Sequence, residues 1–290
     1  MNHAHEIQVR PAVSGDRRGL ADLIHDSPIV HRHLDWREPL DWLGSQPYLV
    51  AELGGSLTAA LACPPDPASI AWLRLFVNAG VLRTEESWRR LWQPAREILC
   101  RSPGMSAAAI PLHPGLAAVL AANDFAPCQE IVMLQCDGPD LDRLPEPGAL
   151  QLRTMFPYDL PQVAEVDAAA FIPLWQNSLE ALSHAYLLAA SAGVAEKAGR
   201  LIGYQLSTRS SQGYHLARLA VRPEEQGQGI GRALVMELFT QAVRHGSSHF
   251  TVNTQNDNAA SLALYRRLGF FQTGERYPVL VNHVSPEVQG

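Results

Sequence analysis

The sequence predicts a two-copy α/β (α+β) fold, each copy a mixed sheet flanked by helices. Three observations carry this. Segments near the start of the chain recur about 144 residues later, in the same order. Within each copy, short strand-like runs alternate with longer helix-like ones. In the second copy a glycine-rich turn, residues 226–231, joins a strand-like run at 215–221 to a helix-like run at 233–242.

The repeat is legible residue by residue. Ile7, Gln8, Val9 and Arg10 with Asp16 match Leu150, Gln151, Leu152 and Arg153 with Asp159. Val50, Ala51 and Glu52 match Val194, Ala195 and Glu196. Leu73, Arg74, Leu75, Phe76 and Val77 match Ala217, Arg218, Leu219, Ala220 and Val221, and Asn123, Asp124 and Phe125 meet Leu268, Gly269 and Phe270. Four matches in one order imply a tandem duplication. Each copy is expected to run strand, helices, hairpin strands, central strand, helix, strand, helix, strand. The expected domains are 1–140 and 149–290, with a linker in the Pro- and Gly-rich stretch 138–148.

Composition sets the class of protein. The chain has 290 residues, near the length of two domains, and 47% apolar residues, enough for two cores. A formal charge of −6 argues against a nucleic-acid binder. The first ten residues lack an apolar signal core, and no run approaches the roughly 20 apolar residues of a membrane span, so the expected compartment is the cytoplasm. Cys63, Cys100, Cys128 and Cys136 show no paired spacing, which predicts reduced, buried thiols. His3 with His5 and His31 with His33 lack a third ligand nearby, so no metal is expected. Trp36, Trp42, Trp88 and Trp92 all lie in the first copy, and Trp88 and Trp92, four apart, predict a helix's core face.

The glycine turn carries the functional signal. It reads Gln226, Gly227, Gln228, Gly229, Ile230, Gly231. A turn of this kind leaves the first amides of the following helix unpaired and aligned with the positive end of its dipole, a cradle for phosphate. A P-loop needs Lys then Ser or Thr after its last glycine, whereas Arg232 and Ala233 follow Gly231. A Rossmann fingerprint needs a different glycine frame and an acid ending the next strand, whereas residues 250–254 run into Gln255 and Asn256. Neither nucleotide motif fits.

A third pattern fits. The stretch 219–231 resembles the acyl-coenzyme A loop of the GNAT superfamily of N-acyltransferases, whose core is Gln or Arg, two residues, Gly, one residue, Gly or Ala; Gln226, Gly229 and Gly231 occupy those positions. Downstream, Asn258 stands seven residues before Tyr265, and Leu268, Gly269 and Phe270 follow, which resembles the second signature of the family. The resemblance covers about residues 150–285, with Ser261 where Ala is usual. The two-copy layout is similar to that of mycothiol synthase and related tandem acyltransferases.

The resemblance implies a mainly antiparallel, twisted sheet in each copy, whose parallel central strands splay apart to admit acetyl-coenzyme A as cosubstrate, with no metal. Backbone groups of Leu219, Ala220 and Val221 would hold the pantetheine arm and polarise the thioester carbonyl. Gln226, Gly227, Gln228, Gly229, Ile230, Gly231 and Arg232 would hold the pyrophosphate, and Asn258 with Ser261 would complete the cofactor set. The implied reaction moves an acetyl group to a primary amine of a small molecule or peptide by direct attack in a ternary complex. The competing function is an acyl-coenzyme A sensor without turnover. Tyr265 is the candidate general acid, since a phenol can protonate a leaving thiolate; the alternative is a core aromatic. His215 is the candidate base, a neutral imidazole placed by strand alternation on the face of Ala217 and Leu219; the alternative is a histidine facing water. Glu196 and His184 are weaker base candidates. Phe171 and Trp175 are candidates for the acceptor pocket.

In the first copy Asn78, Ala79 and Gly80 follow the central strand, Gln and two of the three glycines are missing, and Leu120 replaces the tyrosine. Residues 1–140 are therefore expected to be a degenerate copy that kept the fold and lost the cofactor, and 149–290 the catalytic copy. The partner is an amine-bearing acceptor, not nucleic acid or membrane, and the protein is expected to be a monomer or homodimer.

Overall fold

The computed structural model describes residues 6–141 and 150–284; the expected order of elements occurs in the second copy, whereas the first has a strand, Ile29–Arg32, in place of a second helix and two short strands, Ile70–Trp72 and Leu75–Asn78, in place of one central strand. His3, His5 and residues 142–148 of the expected linker lie outside the described residues. The first copy runs β1 (Gln8–Pro11), α1 (Arg17–Asp26), β2 (Ile29–Arg32), the hairpin β3 (Tyr48–Leu53) and β4 (Ser56–Ala62), β5 (Ile70–Trp72), β6 (Leu75–Asn78), α2 (Thr84–Leu99), β7 (Ser106–Ala109), α3 (Pro114–Ala121) and β8 (Ala126–Asp137). The second runs β9 (Gln151–Thr154), α4 (Leu160–Ala170), α5 (Leu179–Leu188), the hairpin β10 (Ser191–Lys197) and β11 (Arg200–Arg209), β12 (Tyr214–Val221), α6 (Ile230–Arg244), β13 (His249–Gln255), α7 (Ala259–Arg267) and β14 (Phe271–His283).

The residues that reveal the repeat make one charge arrangement, built twice. Arg10 donates to both oxygens of Asp16 at 2.8 Å and to Glu52 at 2.9 Å. Arg153 does the same with Asp159 at 2.7 and 2.9 Å and with Glu196 at 3.0 Å. Each aspartate also accepts the backbone N–H three residues before it, from Val13 or Phe156, at 2.8 Å. Hydrogen bonding to the arginine holds both aspartate carboxyls below their usual pKa. The arrangement ties the first strand of each copy to the hairpin and to the turn that starts the first helix.

The chain divides into two compact units, Met1–Cys128 with Pro278–Gly290, and Gln129–Tyr277. These differ from the expected segments 1–140 and 149–290, because each copy gives its last strand to the other unit. Ile131 to Asp137 of β8 pairs antiparallel with β13, and Val132, Leu134 and Cys136 enter the core of the second unit beside Phe250 and Phe239. Leu280 to His283 of β14 pairs antiparallel with β7, and Leu280 joins the core of the first unit beside Trp88. In each unit the parallel inner strand has an edge whose backbone groups need a partner. Each final strand supplies that partner as an antiparallel neighbour.

In the first unit, Trp88, Leu91, Trp92, Ala95 and Leu99 form the buried stripe of α2. Trp88 and Trp92 stack at 5.5 Å, and Phe76 and Phe125 meet Trp88 edge-on. His31 lies against the carbonyl of Leu73 at 3.0 Å, with its pKa lowered to about 4 by burial, and His33 stacks on Trp72. No disulfide joins the four cysteines; Cys63 and Cys136 are buried as expected, whereas Cys100 is half-buried and Cys128 exposed.

In the second unit a buried charge network fixes α4 to the sheet. Arg218 on β12 donates to Asp167 at 2.7–2.8 Å; Tyr204 on β11 donates to the same carboxylate. Asp167 and Tyr204 are fully buried, so the carboxylate is compensated by a cation and two neutral donors, Tyr204 and the Asn177 amide at 2.7 Å. The Arg218 guanidinium lies 3.6 Å from the Phe171 ring centre and donates to the Trp175 carbonyl.

Two stability experiments follow. Leu134→Ala should cost about 2–5 kcal/mol and lower hydrogen-exchange protection at Phe250 and Val252 in the second unit; loss confined to the core around Trp88 would contradict the strand exchange. Arg218→Met, by leaving Asp167 buried without its cation, should cost about 3–5 kcal/mol in urea unfolding, and adding Asp167→Asn should recover part of that loss.

Candidate active site

The central strand of the second unit is paired on one side and open on the other. Against β11 it pairs along its whole length, with a shift at Leu206/Ser207 that leaves Ala217 as an extra residue, a β-bulge. Against β13 it pairs in parallel at three positions only, Tyr214, His215 and Leu216 with Phe250, Thr251 and Val252. Beyond them the strands diverge, although β12 continues to Val221 and β13 to Gln255. The Arg222 amide donates to Ile202 of β11, so alternation turns the N–H and C=O of Leu219 and Val221 toward the divergent side. The Gln226 side chain donates to the Val221 carbonyl at 3.0 Å, which binds the glycine turn to this open edge.

The turn has the shape of an anion cradle. Gly227 and Gly229 adopt φ of +77° and +82°, a left-handed conformation that favours glycine, and a side chain there would point into open space. Gly229 caps α6 without a side-chain acceptor, and the first turn of α6 holds no acid. The Ala233 amide makes the first bond back into the helix, to Gly229, so the amides of Ile230, Gly231 and Arg232 precede the ladder. Gln228 is held by Glu225, which is paired with Lys197. A Cβ on Gly231 would meet Leu264 of α7 at 3.4 Å and Leu219 and Val221 at 3.8 Å, which places the start of α6 against both the open strand and α7.

The bulge redistributes the side chains expected on one face. Leu206 opposes Arg218 and Ser207 opposes Leu216, so His215, Arg218 and Ala220 share one face while Tyr214, Leu216, Leu219 and Val221 share the other. His215 therefore does not lie on the face of Leu219, as unbroken alternation predicted. It sits on the α4 face, at the paired end of β12, with Nδ1 2.9 Å from Thr251 Oγ1. Burial lowers its pKa, which keeps the imidazole neutral at pH 7. Tyr265 lies on the opposite face, buried with Leu216 and edge-on to Phe270 at 5.5 Å. Burial raises its pKa, so the phenol keeps its proton at neutral pH.

Asn258 caps α7: its Oδ1 accepts the Ser261 amide at 3.1 Å and its Nδ2 points to Gln255 at 3.4 Å. Glu196 belongs to the Arg153 arrangement that the first copy repeats with Glu52, so its partner is structural. His184 lies on α5, half-buried. Phe171 and Trp175 lie on the α4 face, in the Arg218 network. Sequence reasoning missed this network and a second one: Trp175 Nε1 donates to Gln129 Oε1 at 2.8 Å, and Gln129 Nε2 donates to Asp257 at 2.9 Å. A signal existed in the charged Arg218 within the apolar run 216–221, since a charge mid-strand requires a partner.

The first copy repeats the divergence and closes it. Its parallel ladder is also three residues long, Ile70, Ala71 and Trp72 with Ser106, Ala107 and Ala108. Beyond it, the side of β6 away from β4 is covered by β2, with Ile29 to Arg32 pairing antiparallel to Asn78 to Leu75. Asn78 binds the following loop through Gly80, Leu82 and Ser87, and Glu85 and Glu86 fill the first turn of α2.

Comparison with known proteins agrees with this geometry. Residues 158–270, all in the second unit, match the Acetyltransferase (GNAT) family. The chain is similar to N-alpha-acetyltransferase RimI of Mycobacterium tuberculosis, 35% identical over 128 residues, which are 41% of this chain and 76% of that protein. In fold it is similar to a tandem GNAT protein from the clavulanic acid biosynthesis pathway (TM-score 0.62, 20% identity, covering 97% of this chain and 100% of that one). It is similar also to a GCN5-related N-acetyltransferase from Sphaerobacter thermophilus (TM-score 0.63, 20% identity, 97% of each chain). A three-residue parallel ladder that then opens, a left-handed glycine turn beside the open edge, and a relative matched over most of its own length together mean that the chain belongs to the GNAT family of acetyltransferases.

Proposed function

We propose that the second unit transfers an acetyl group from acetyl-coenzyme A to a primary amine by direct attack, and that the first unit holds no cofactor. The open backbone edge at Leu219 and Val221, next to the uncapped turn 227–231, carries this reading. Acetyl-coenzyme A supplies the activated thioester. The residues present fit it: the turn offers amide N–H groups in a left-handed arrangement with room around them, and the open edge offers strand-type partners to the amide groups of pantetheine. Gln226, Gly227, Gln228, Gly229, Ile230, Gly231 and Arg232 take the pyrophosphate. Leu219, Ala220 and Val221 line the arm, and an amide of the open edge polarises the carbonyl. Asn258 and Ser261 contribute by setting the start of α7, which aims Tyr265.

His215 and Tyr265 lie on opposite faces of β12, and the divergence joins those faces. The amine reaches the thioester from the α4 face, where His215 accepts its proton, and Tyr265 donates a proton to the leaving thiolate from the other. The Arg218 and Trp175 networks fix the segment between α4 and α5 beside the amine's path. Similarity to an N-alpha-acetyltransferase supports a peptide α-amino group as the first acceptor to test, ahead of small amines. In the first unit the corresponding edge is taken by β2, and the acids of α2 disfavour phosphate.

Three outcomes are expected. Tyr265→Phe should lower kcat at least about tenfold, with the KM for acetyl-coenzyme A unchanged; an unchanged kcat removes the acid role. For His215 the lowered pKa places the acidic limb of kcat/KM below about pH 6.5, since activity needs the neutral ring and is lost as pH falls through that pKa. His215→Ala should abolish that limb, and a retained limb assigns the base elsewhere. Titration calorimetry of the whole chain with acetyl-coenzyme A should give one site per chain; two sites, or binding that survives Gly229→Val, would place a cofactor in the first unit.

A further inference from the structure

Strand register carries a row of polar side chains away from His215. His215 of β12 is paired with Thr251 of β13, and Thr251 in turn with Gln135 of β8. Directly opposed residues of a ladder project to the same face, and the 2.9 Å approach of His215 Nδ1 to Thr251 Oγ1 shows it here. The opposite face holds the core, where Val132, Leu134 and Cys136 of β8 pack with Phe250 and Val252 of β13. Alternation therefore places Asn253, two residues after Thr251, on the face of His215. The parallel ladder ends at Leu216 and Val252, so Asn253 is the first residue of β13 beyond it, where the two strands part.

Asn253 and Gln135 share a second property. Both are half-buried, and among the described residues neither side-chain amide has a hydrogen-bond partner in the protein. The neighbouring amides do: Gln255 accepts from Asn258, and Gln129 binds Trp175 and Asp257. A half-buried amide keeps its need for a donor and an acceptor and meets it with water, which a ligand displaces at little cost when it offers the same pair. The row also lacks formal charge, since Thr251, Asn253 and Gln135 are uncharged side chains beside a neutral imidazole. An anionic or cationic recognition group would find no counterion among them. A peptide bond, a neutral donor–acceptor pair, is the complement of a side-chain amide.

The spacing agrees. Alternate residues of a strand lie about 6.6 Å apart. An amine about 3 Å from His215 and the amide nitrogen one residue beyond it, about 3.6 Å further in an extended chain, together span that distance. We propose that Asn253 binds the amide group next to the acceptor's amine, and so makes the enzyme prefer acceptors in which a peptide bond follows that amine. The proposal rests on the acetyltransferase reading above and adds to it the residue that reads the acceptor and the chemical group that is read.

The test compares two acceptors that differ by one N–H, alanine N-methylamide and alanine methyl ester, whose amines differ little in basicity. Thiol release from acetyl-coenzyme A by the whole chain, at one pH, should give a kcat/KM at least about fivefold higher for the amide. N253L, which keeps the volume and removes the polar group, should bring that ratio toward one, chiefly by slowing the amide. Its affinity for acetyl-coenzyme A in calorimetry should be unchanged, which reports a folded protein. N253D, which keeps an oxygen to accept the N–H, should retain part of the preference. Equal kcat/KM values in the wild type overturn the proposal, as does an N253L variant that keeps the wild-type ratio. If acetyl-coenzyme A binds and neither acceptor releases thiol, the proposal fails and the cofactor reading stands; if acetyl-coenzyme A does not bind, that reading fails as well.

Discussion

Every backbone N–H and C=O in a sheet needs a partner, and among the described residues two parallel ladders part after three residues and free one edge. The two copies meet the constraint differently. In the first, β2 lies along the freed edge and pairs with it, so the sheet is complete without a ligand. In the second, the segment at the same place in the repeat forms a 3₁₀ turn, Pro173–Trp175, held by Arg218 through the Trp175 carbonyl. The freed edge stays open. A short segment that either pairs with the sheet or is pulled onto its face separates a covered edge from an open one.

The buried arginine at the centre of each copy takes part in that difference. Arg74 and Arg218 occupy the same repeat position and both are paired with a buried aspartate. Arg74 finds Asp35, beyond β2, whereas Arg218 finds Asp167 on α4. Breaking such a pair leaves a charge without compensation in a low-dielectric interior, so each arrangement is strongly maintained once formed. The partner's position in the chain decides which segment is drawn to the central strand. The aspartates therefore decide which segment lies against the central strand.

The repeat itself was legible because its most similar positions carry mutually dependent charges. Arg10, Asp16 and Glu52 must change together, as must Arg153, Asp159 and Glu196, whereas core positions exchange one aliphatic residue for another at little cost. The glycine turn was legible for a related reason: a left-handed backbone at Gly227 and Gly229 restricts residue choice whatever surrounds it. The face occupied by His215 was not legible. Its register depends on the bulge at Ala217, and nothing in the alternation of the run 214–221 announces an extra residue. The dual nature of Asn258 was half legible, since its spacing to Tyr265 marked the motif while its capping of α7 appears only when Ser261 is seen above it.

By itself, then, the sequence determined whatever depends on local backbone conformation and on side chains that constrain one another: the two copies, the order of elements in the second, the turn before α6, and the loss of that turn from the first copy. The tertiary structure decided what depends on choices between equivalent partners. Which final strand completes which unit, which face His215 occupies after the bulge, and whether a freed edge is covered by β2 or left open are choices among pairings that the sequence pattern satisfies equally well. Hydrogen-bonding groups of the backbone are identical at every residue, so only the packing of the whole chain selects among them.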